Sequence, residues 1–511
     1  MRTVFILFDS LNRHLLGPYG GTRISTPNFD RLSKRATRFD KHYVGSLPCM
    51  PARRDLLTGR LNFLHRSWGP MEPFDNAVPE ILAKSGVYSH LITDHCHYWE
   101  DGGATYHTRY SSFDFIRGQE GDPWKAMVQP HWERLREKYH ETQISHPQGF
   151  NFLPRLNNYH QQYMLNRDYI QSEEDFPAAK VFSAGLDFLK KNKNSDNWFL
   201  QVETFDPHEP FHAPERFREP FPTDYEGPIL DWPRYGRVEE LPEECEELRA
   251  NYYATVAHCD ALLGNLLDVF DKEGLWDDTA LIVTTDHGFL LGEHDFWAKN
   301  RQNLYQEIVH LPLFISLPGK TNVGVEGLTQ TADIAATILD IHGVNKPQEM
   351  MSHSLIPLIH GEKSKREAAL FGYFGGTVNL TDGFYSYHRF PEDLENQEIF
   401  QYTLMPTHIR NFFSPDEIKD AKLAAPLSFT KGMPVLRAPV SAQSIIPGYG
   451  PLPFLENETR LYDLVSDPGQ ERPLNDTTIE GRMVQLMKKE MHSADAPPEA
   501  YSRLQLNHIH A

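Results

Sequence analysis

Four short runs of apolar residues each stop at a loop carrying acids or histidines, and they constrain the architecture more than any other feature. Residues 3–8 end in Asp9-Ser10, and 89–93 in Asp94-His95-Cys96-His97. Residues 198–203 lead into Asp206-Pro207-His208, and 279–285 into Asp286-His287-Gly288. Runs that are apolar almost throughout, not at alternate positions, belong to strands covered on both faces, as in a parallel sheet between helices. In open α/β sheets, ligands bind beyond the carboxyl ends of such strands. The four loops are therefore predicted to meet at one sheet edge. Their carboxylates and imidazoles suit a hard or borderline divalent cation.

Helical periodicity fills the space between the runs. Thr26-Pro27 opens a helix with Phe29, Leu32 and Ala36 on its apolar side. Residues 78–84, 241–272, 330–341 and 478–492 also read as helices. In 241–272, Leu248, Tyr252, Val256, Cys259, Leu263, Leu266 and Phe270 recur at helical spacing, which makes Cys259 core. Residues 100–180 are irregular and aromatic-rich (Tyr106, His107, Tyr110, Trp124, His160) and read as an insertion over the site. Residues 369–373 are expected as the last strand of the large sheet; 378–387 and 461–464 read as antiparallel strands. The expected organisation is a 1–375 catalytic α/β domain with the 100–180 insertion, then a smaller 376–511 α+β subdomain with an antiparallel sheet.

Charge narrows the partners. Seventy acidic residues against 50 basic ones give a net charge of −20. That argues against nucleic acid and against an anionic membrane surface. An anionic substrate would need a local positive island. The 4 cysteines, Cys49, Cys96, Cys245 and Cys259, show neither metal-knuckle spacing nor a disulfide framework, which fits a reducing compartment. No apolar run is long enough to span a membrane. The first nine residues superficially resemble a signal peptide, but the apolar run is too short and ends at an acid. The expected location is cytoplasmic, or periplasmic or secreted if a signal was removed.

The stretch from Pro48 to Arg60, PCMPARRDLLTGR, reads as a loop feeding a short helix. Pro51 suits the first turn, and Gly59 suits the stop. Cys49 then falls at the helix N-terminus, where exposed N–H groups and the dipole favour negative charge. Arg53 lies one turn on and can reach back to it.

Cys49-x-Pro51-x-Arg53 followed by Leu57-Thr58-Gly59-Arg60 resembles the hallmark of type I sulfatases in the alkaline phosphatase superfamily. His208-x-Pro210-Phe211, Thr285-Asp286-His287-Gly288 and Leu461-Tyr462-Asp463-Leu464 follow in that family's order, so the resemblance covers nearly the whole chain. It implies an alkaline phosphatase-like fold, a large mostly parallel sheet between helices with a smaller C-terminal subdomain. It implies hydrolysis of sulfate esters, R–O–SO3⁻ to R–OH and sulfate. The nucleophile would be formylglycine, made from Cys49 by a sulfatase-maturing enzyme. The implied metal ligands are Asp9, Cys49, Asp286 and His287, holding Ca²⁺, with Mn²⁺ as an alternative. Cys49, Arg53, His208 and Lys299 would be catalytic. Asp94, His95, His97, His208 and Lys299 would bind a small-molecule or carbohydrate sulfate ester. His208 or a member of the 94–97 cluster would protonate the leaving alcohol. Self-association into a homo-oligomer is left open.

Two positions depart from the pattern. Asp94 stands where the family carries the lysine of Gly-Lys-Trp-His, and Ser10 stands where it carries a second acid. Both lean toward the related phosphonate monoester hydrolases and phosphodiesterases, which use the same nucleophile. The His208 element leans back toward sulfate. A third reading is a metal-binding protein whose Cys49 is never oxidised.

Overall fold

The computed structural model describes residues 1–129, 131–144, 159–301, 303–319, 323–394, 396–440, 456 and 458–506. Its centre is an 8-stranded sheet in the order Gly324–Val325, Thr37–Phe39, Leu313–Ser316, Thr279–Thr285, Arg2–Phe8, Trp198–Thr204, Tyr88–Thr93, Ser112–Phe115. From Thr279–Thr285 to Ser112–Phe115 every pairing is parallel. Leu313–Ser316 runs antiparallel beside Thr279–Thr285.

The continuous apolar runs have the predicted cause. In the central strand, Val4, Ile6 and Phe8 face one core with Phe182, Tyr252, Val256 and Phe270 of the helices Pro177–Asn192 and Pro242–Glu273. Phe5 and Leu7 face the opposite core with Met50, Leu56, Leu82 and Ile338 of the helices Cys49–Thr58, Val78–Lys84 and Asp333–Ile341. Successive side chains point to opposite faces of a strand, so a two-sided burial needs apolar residues at every position. The register then aligns the strand ends. Phe8 lies beside Thr204 and Thr285, and Thr93 beside Glu203. Asp9, Asp94, Asp206 and Asp286 all leave the sheet at one edge.

Three expectations change. Ala369–Tyr373 does not join the large sheet. It pairs with Val378–Thr381 and, at residues 372–373, with Ser46–Leu47, in a 5-stranded sheet completed by Tyr385–Arg389 and Arg460–Asp463. Ser46–Leu47 precedes the Cys49 helix, and its backbone groups take partners there. The expected boundary near 375 therefore falls inside one sheet. Thr477–Ser493 covers that sheet with Met483, Met487 and Met491 against Leu370, Leu380 and Tyr387. Thr26 does not cap its helix by a side-chain bond; its hydroxyl accepts the Gly17 N–H instead. The 100–180 region is more than a cover, because Ser112–Phe115 is an edge strand and Pro177–Asn192 is a core helix. Residues 130 and 145–158 of it lie outside the described residues. Among the described residues no helix is long and apolar enough to cross a membrane.

Candidate active site

The Cys49–Thr58 helix brings its first residue to the sheet edge, with Gly59 closing it at φ 63°. Asp55 fixes its approach: the carboxylate accepts the Ser46 N–H at 2.6 Å and hydroxyl at 2.9 Å, and the Asn62 side-chain amide at 2.6 Å. Cys49 is thereby held where Asp9, Asp286 and His287 arrive from two adjacent strands. One ligand atom from each of these four residues lies within 4.8 Å of the others.

Arg53 is the centre of the polar network. Its Nε donates to Glu203 at 2.7 Å and its Nη1 to Asp286 at 2.6 Å and to the Cys49 carbonyl at 3.2 Å. Nη2 lies 2.9 Å from Asp9 Oδ2, close but poorly aligned, so neither atom makes a directed hydrogen bond. Glu203 is itself held by the Tyr98 hydroxyl at 3.1 Å and the Gln201 amide at 2.8 Å. One guanidinium thus spans three buried carboxylates, which its planar fork of five donors permits and a lysine would not.

Lys299 forms the second cationic point. Its Nζ donates to Ser10 Oγ at 2.9 Å and lies 3.6 Å from Cys49 Sγ and 4.0 Å from Asp9. Ser10, the residue in place of a second acid, in turn donates its hydroxyl to Asp9 at 2.8 Å and its N–H to Asp286 at 3.1 Å. Burial opposes the charge on Lys299, but Cys49, Glu209, Asp9 and Asp286 outweigh it and raise its pKa.

The electrostatics prepare the donors. Burial lifts the Asp9 carboxyl, yet Arg53, His208 and Lys299 outweigh it and hold Asp9 well below the usual carboxylate range. Burial and then the Asp9 charge raise Asp286 to about 7. Burial lowers His287 to about 3, so its ring is neutral. Its Nδ1 lies 3.0 Å from the Gly288 carbonyl, which assigns the hydrogen to Nδ1 and leaves Nε2 unprotonated, with a lone pair that accepts the Cys49 thiol at 3.2 Å and could instead ligate a cation. The Cys49 thiol is pushed well above its ordinary pKa, first by burial and then by Asp9. As a plain thiol it stays protonated and is a poor nucleophile.

The remaining predicted residues divide. His95 is fully buried, 4.0 Å from Asp9 Oδ2, and neither ring nitrogen has a hydrogen-bond partner. His97 packs beside it, with ring centroids 5.0 Å apart, but is engaged by Glu100 at 2.7 Å and Arg410 at 3.1 Å. His208 influences both Asp9 and His95 electrostatically. Asp94 is turned to other work. Its carboxylate accepts the Phe205 N–H at 2.7 Å and the Thr204 hydroxyl at 3.4 Å, and its strongest charged neighbours are Asp206 and Glu203.

Glu203, Glu209, Tyr235 and Arg410 were not singled out by sequence as parts of this site. Glu203 had a signal, since Gln201 and Glu203 are polar on the same face of an otherwise apolar run. Arg410 had none: it arrives on a loop of the C-terminal region, tied down by Gly102 N–H to the Ile409 carbonyl at 2.8 Å.

The His287 turn has no room to vary. A Cβ on Gly288 would stand 1.9 Å from the Glu307 carbonyl oxygen. Gly288→Ala is expected to cost about 2 kcal/mol or more through backbone displacement, and to weaken cation binding. Thermal unfolding with and without added Ca²⁺ checks both effects.

Two carboxylates, one neutral imidazole and the side chain at position 49 form a donor set suited to a divalent cation. The sulfatase family model matches residues 2–344, two thirds of the chain. The chain belongs to the sulfatase family. A second model, the C-terminal domain of N-sulphoglucosamine sulphohydrolase, matches residues 292–424. This sulfatase is 23% identical to the N-acetylglucosamine-6-O-sulfatase of Bacteroides thetaiotaomicron over 81% of its own length and 83% of the relative's. It is 23% identical to the choline-sulfatase of Rhizobium meliloti, over 80% and 81%. The fold also matches a protein solved in complex with its substrate D-glucosamine-2-N,6-O-disulfate, with a TM-score of 0.65, 16% identity and coverage of 98% and 99%. The phosphonate monoester hydrolase of Agrobacterium radiobacter matches with a TM-score of 0.61 at 18% identity, over 96% and 95%. The sulfatase assignment makes the chain a hydrolase of sulfate esters, with Asp9, Cys49, Asp286 and His287 as its candidate centre.

Proposed function

We propose that this sulfatase cleaves sulfate esters of carbohydrates with a formylglycine derived from Cys49 and a Ca²⁺ ion. The observation that carries the reading is the position of the Cys49 sulfur. It is buried among Asp9, Asp286, His287 and Lys299 at a helix N-terminus, in surroundings that disable a thiol. In the chemistry proposed, Sγ stands in for the oxygen of the oxidised, hydrated residue. Conversion would supply an oxygen nucleophile where the thiol offers none. A sulfated carbohydrate is supported by the relatives that act on such compounds.

The donors fit a cation. Asp9 Oδ2 lacks a directed hydrogen bond, His287 Nε2 is unprotonated, and Asp286 gives up its proton only near neutrality unless a cation takes its place. When bound, the ion supplies Lewis-acid polarisation of a sulfuryl oxygen and lowers the pKa of a coordinated hydroxyl. The chain does the rest. Arg53 holds Asp9 and Asp286 in one geometry and offsets their charge. Lys299, His208 and His95 would face the sulfuryl oxygens as charge redistributes, the largest single contribution expected at such a site. His208 gives a proton to the leaving alcohol. Ser10 keeps the Lys299 ammonium beside residue 49.

Chelation is expected to remove sulfate release and to lower Tm, and added Ca²⁺ to restore both. At about 100 times Kd the cation should contribute ~2.7 kcal/mol. Ion chromatography of released sulfate, run beside a thermal melt, is the measurement. Full activity in EDTA would refute the metal assignment.

The phosphonate reading is favoured by two observations. Ser10 replaces an acid, and Asp94 brings a carboxylate, not a cation, to the place where the sulfatase pattern carries a lysine. It remains the competitor that substrate comparison must exclude.

A further inference from the structure

Glu209 is a carboxyl beside the substrate-binding cations that the chemistry above does not use. It is 1% exposed. Its Oε1 accepts the Tyr235 hydroxyl. Its Oε2 has no hydrogen-bond partner and lies 3.2 Å from His208 Nδ1. The same Nδ1 is 2.7 Å from the Glu209 carbonyl oxygen, so it carries a hydrogen, and Nε2 is the ring atom left to give a proton away. The other groups facing the Glu209 carboxyl are Lys299, from the turn after Trp297–Ala298, and Asp9.

His208 alone is badly placed to be an acid. Burial and the Lys299 ammonium hold its pKa well below the ordinary value, so the ring by itself is neutral. A second cation there needs a compensating anion, and Glu209 is the carboxyl in reach. We propose that Glu209 is the counter-ion of the leaving-group acid: it and His208 hold one proton between them, and its carboxylate stabilises the imidazolium that gives Nε2–H to the departing alcohol. As the S–O bond to the alcohol breaks, its electron pair goes to the alcohol oxygen. That oxygen takes the Nε2 proton, His208 is left neutral, and the pair regains a proton from water. Burial is the main reason that Glu209 sits at about 7, against the lowering by Lys299 and Tyr235. The pair therefore keeps its proton below about pH 7 and loses it above. Glu209 is a positioning residue, acting through His208.

The inference rests on the sulfatase reading, and its test separates the two. Two sulfate esters are compared, a nitrophenyl ester, whose oxyanion leaves unaided, and an alkyl ester, whose alkoxide must be protonated. Glu209→Gln is expected to lower kcat/KM on the alkyl ester by about 100-fold, and by far less on the nitrophenyl ester. On the alkyl ester, the double variant with His208→Ala should be no worse than His208→Ala alone. Tyr235→Phe removes a donor that lowers Glu209, so the alkaline limb of the alkyl-ester profile should move to higher pH. Equal losses on both esters, or an unmoved limb in Tyr235→Phe, would overturn the proposal. If Glu209→Gln does not fold, the Tyr235→Phe profile decides alone. Cys49→Ala, run alongside, reports on the nucleophile reading and not on this one, because only the ratio between esters bears on Glu209.

Discussion

Cys49→Ala is expected to reduce sulfate-ester turnover by at least ~10⁴-fold while the protein keeps its fold. The size of the effect follows from what the residue alone supplies. Every other group at the centre binds, orients or carries protons; position 49 carries the atom that attacks. The fold should survive because only a sulfur is removed from the first residue of a helix. That helix is held by Leu56 and Leu57 in the core and by the Asp55 bonds to Ser46 and Asn62. Near-UV circular dichroism and Tm check the fold. Mass analysis of the Cys49 peptide from the parent protein checks the chemistry, since formylglycine is lighter than cysteine. A peptide carrying only intact thiol from active enzyme would be incompatible with the proposed nucleophile.

Arg53→Ala should be the most damaging change to stability. It leaves Asp9, Glu203 and Asp286 buried with their common partner gone. Removing one member of a buried ion pair costs roughly 3–5 kcal/mol. Protonation of the abandoned carboxyls limits the loss, and it also destroys the cation site. Unfolding and activity should therefore fall together. Arg53→Lys retains the charge but reaches one carboxylate at a time, so it should recover stability better than activity. A Tm within a degree or so of the parent in Arg53→Ala would show that the network is not what holds the sheet edge together.

The sequence announced part of this centre for a physical reason. Asp9, Asp286 and His287 follow strands that are buried along their whole length and mostly apolar, and a polar group at that place has few structural uses. Cys49 and Arg53 sit a helical turn apart on one short segment, so local spacing was enough to pair them. Asp94 ends a strand by the same rule but caps the neighbouring loop, and the rule has no means of telling the two outcomes apart. Ser10 looked like a missing ligand and is instead the seat of Lys299. Glu209 and Arg410 depend on contacts with Tyr235 and His97, partners distant in sequence, which no periodicity encodes. The second sheet was half legible: alternation marked Val378–Thr381 and Arg460–Asp463, but the pairing of residues 372–373 with Ser46–Leu47 joins segments more than 300 positions apart.

The most direct test compares kcat/KM for a sulfate monoester and a phosphonate monoester with the same leaving group, each repeated with Cys49→Ala and with EDTA. A large preference for the sulfate ester that disappears in both controls is the result predicted here. A preference for the phosphonate, or sulfate turnover that persists in Cys49→Ala, would contradict the account.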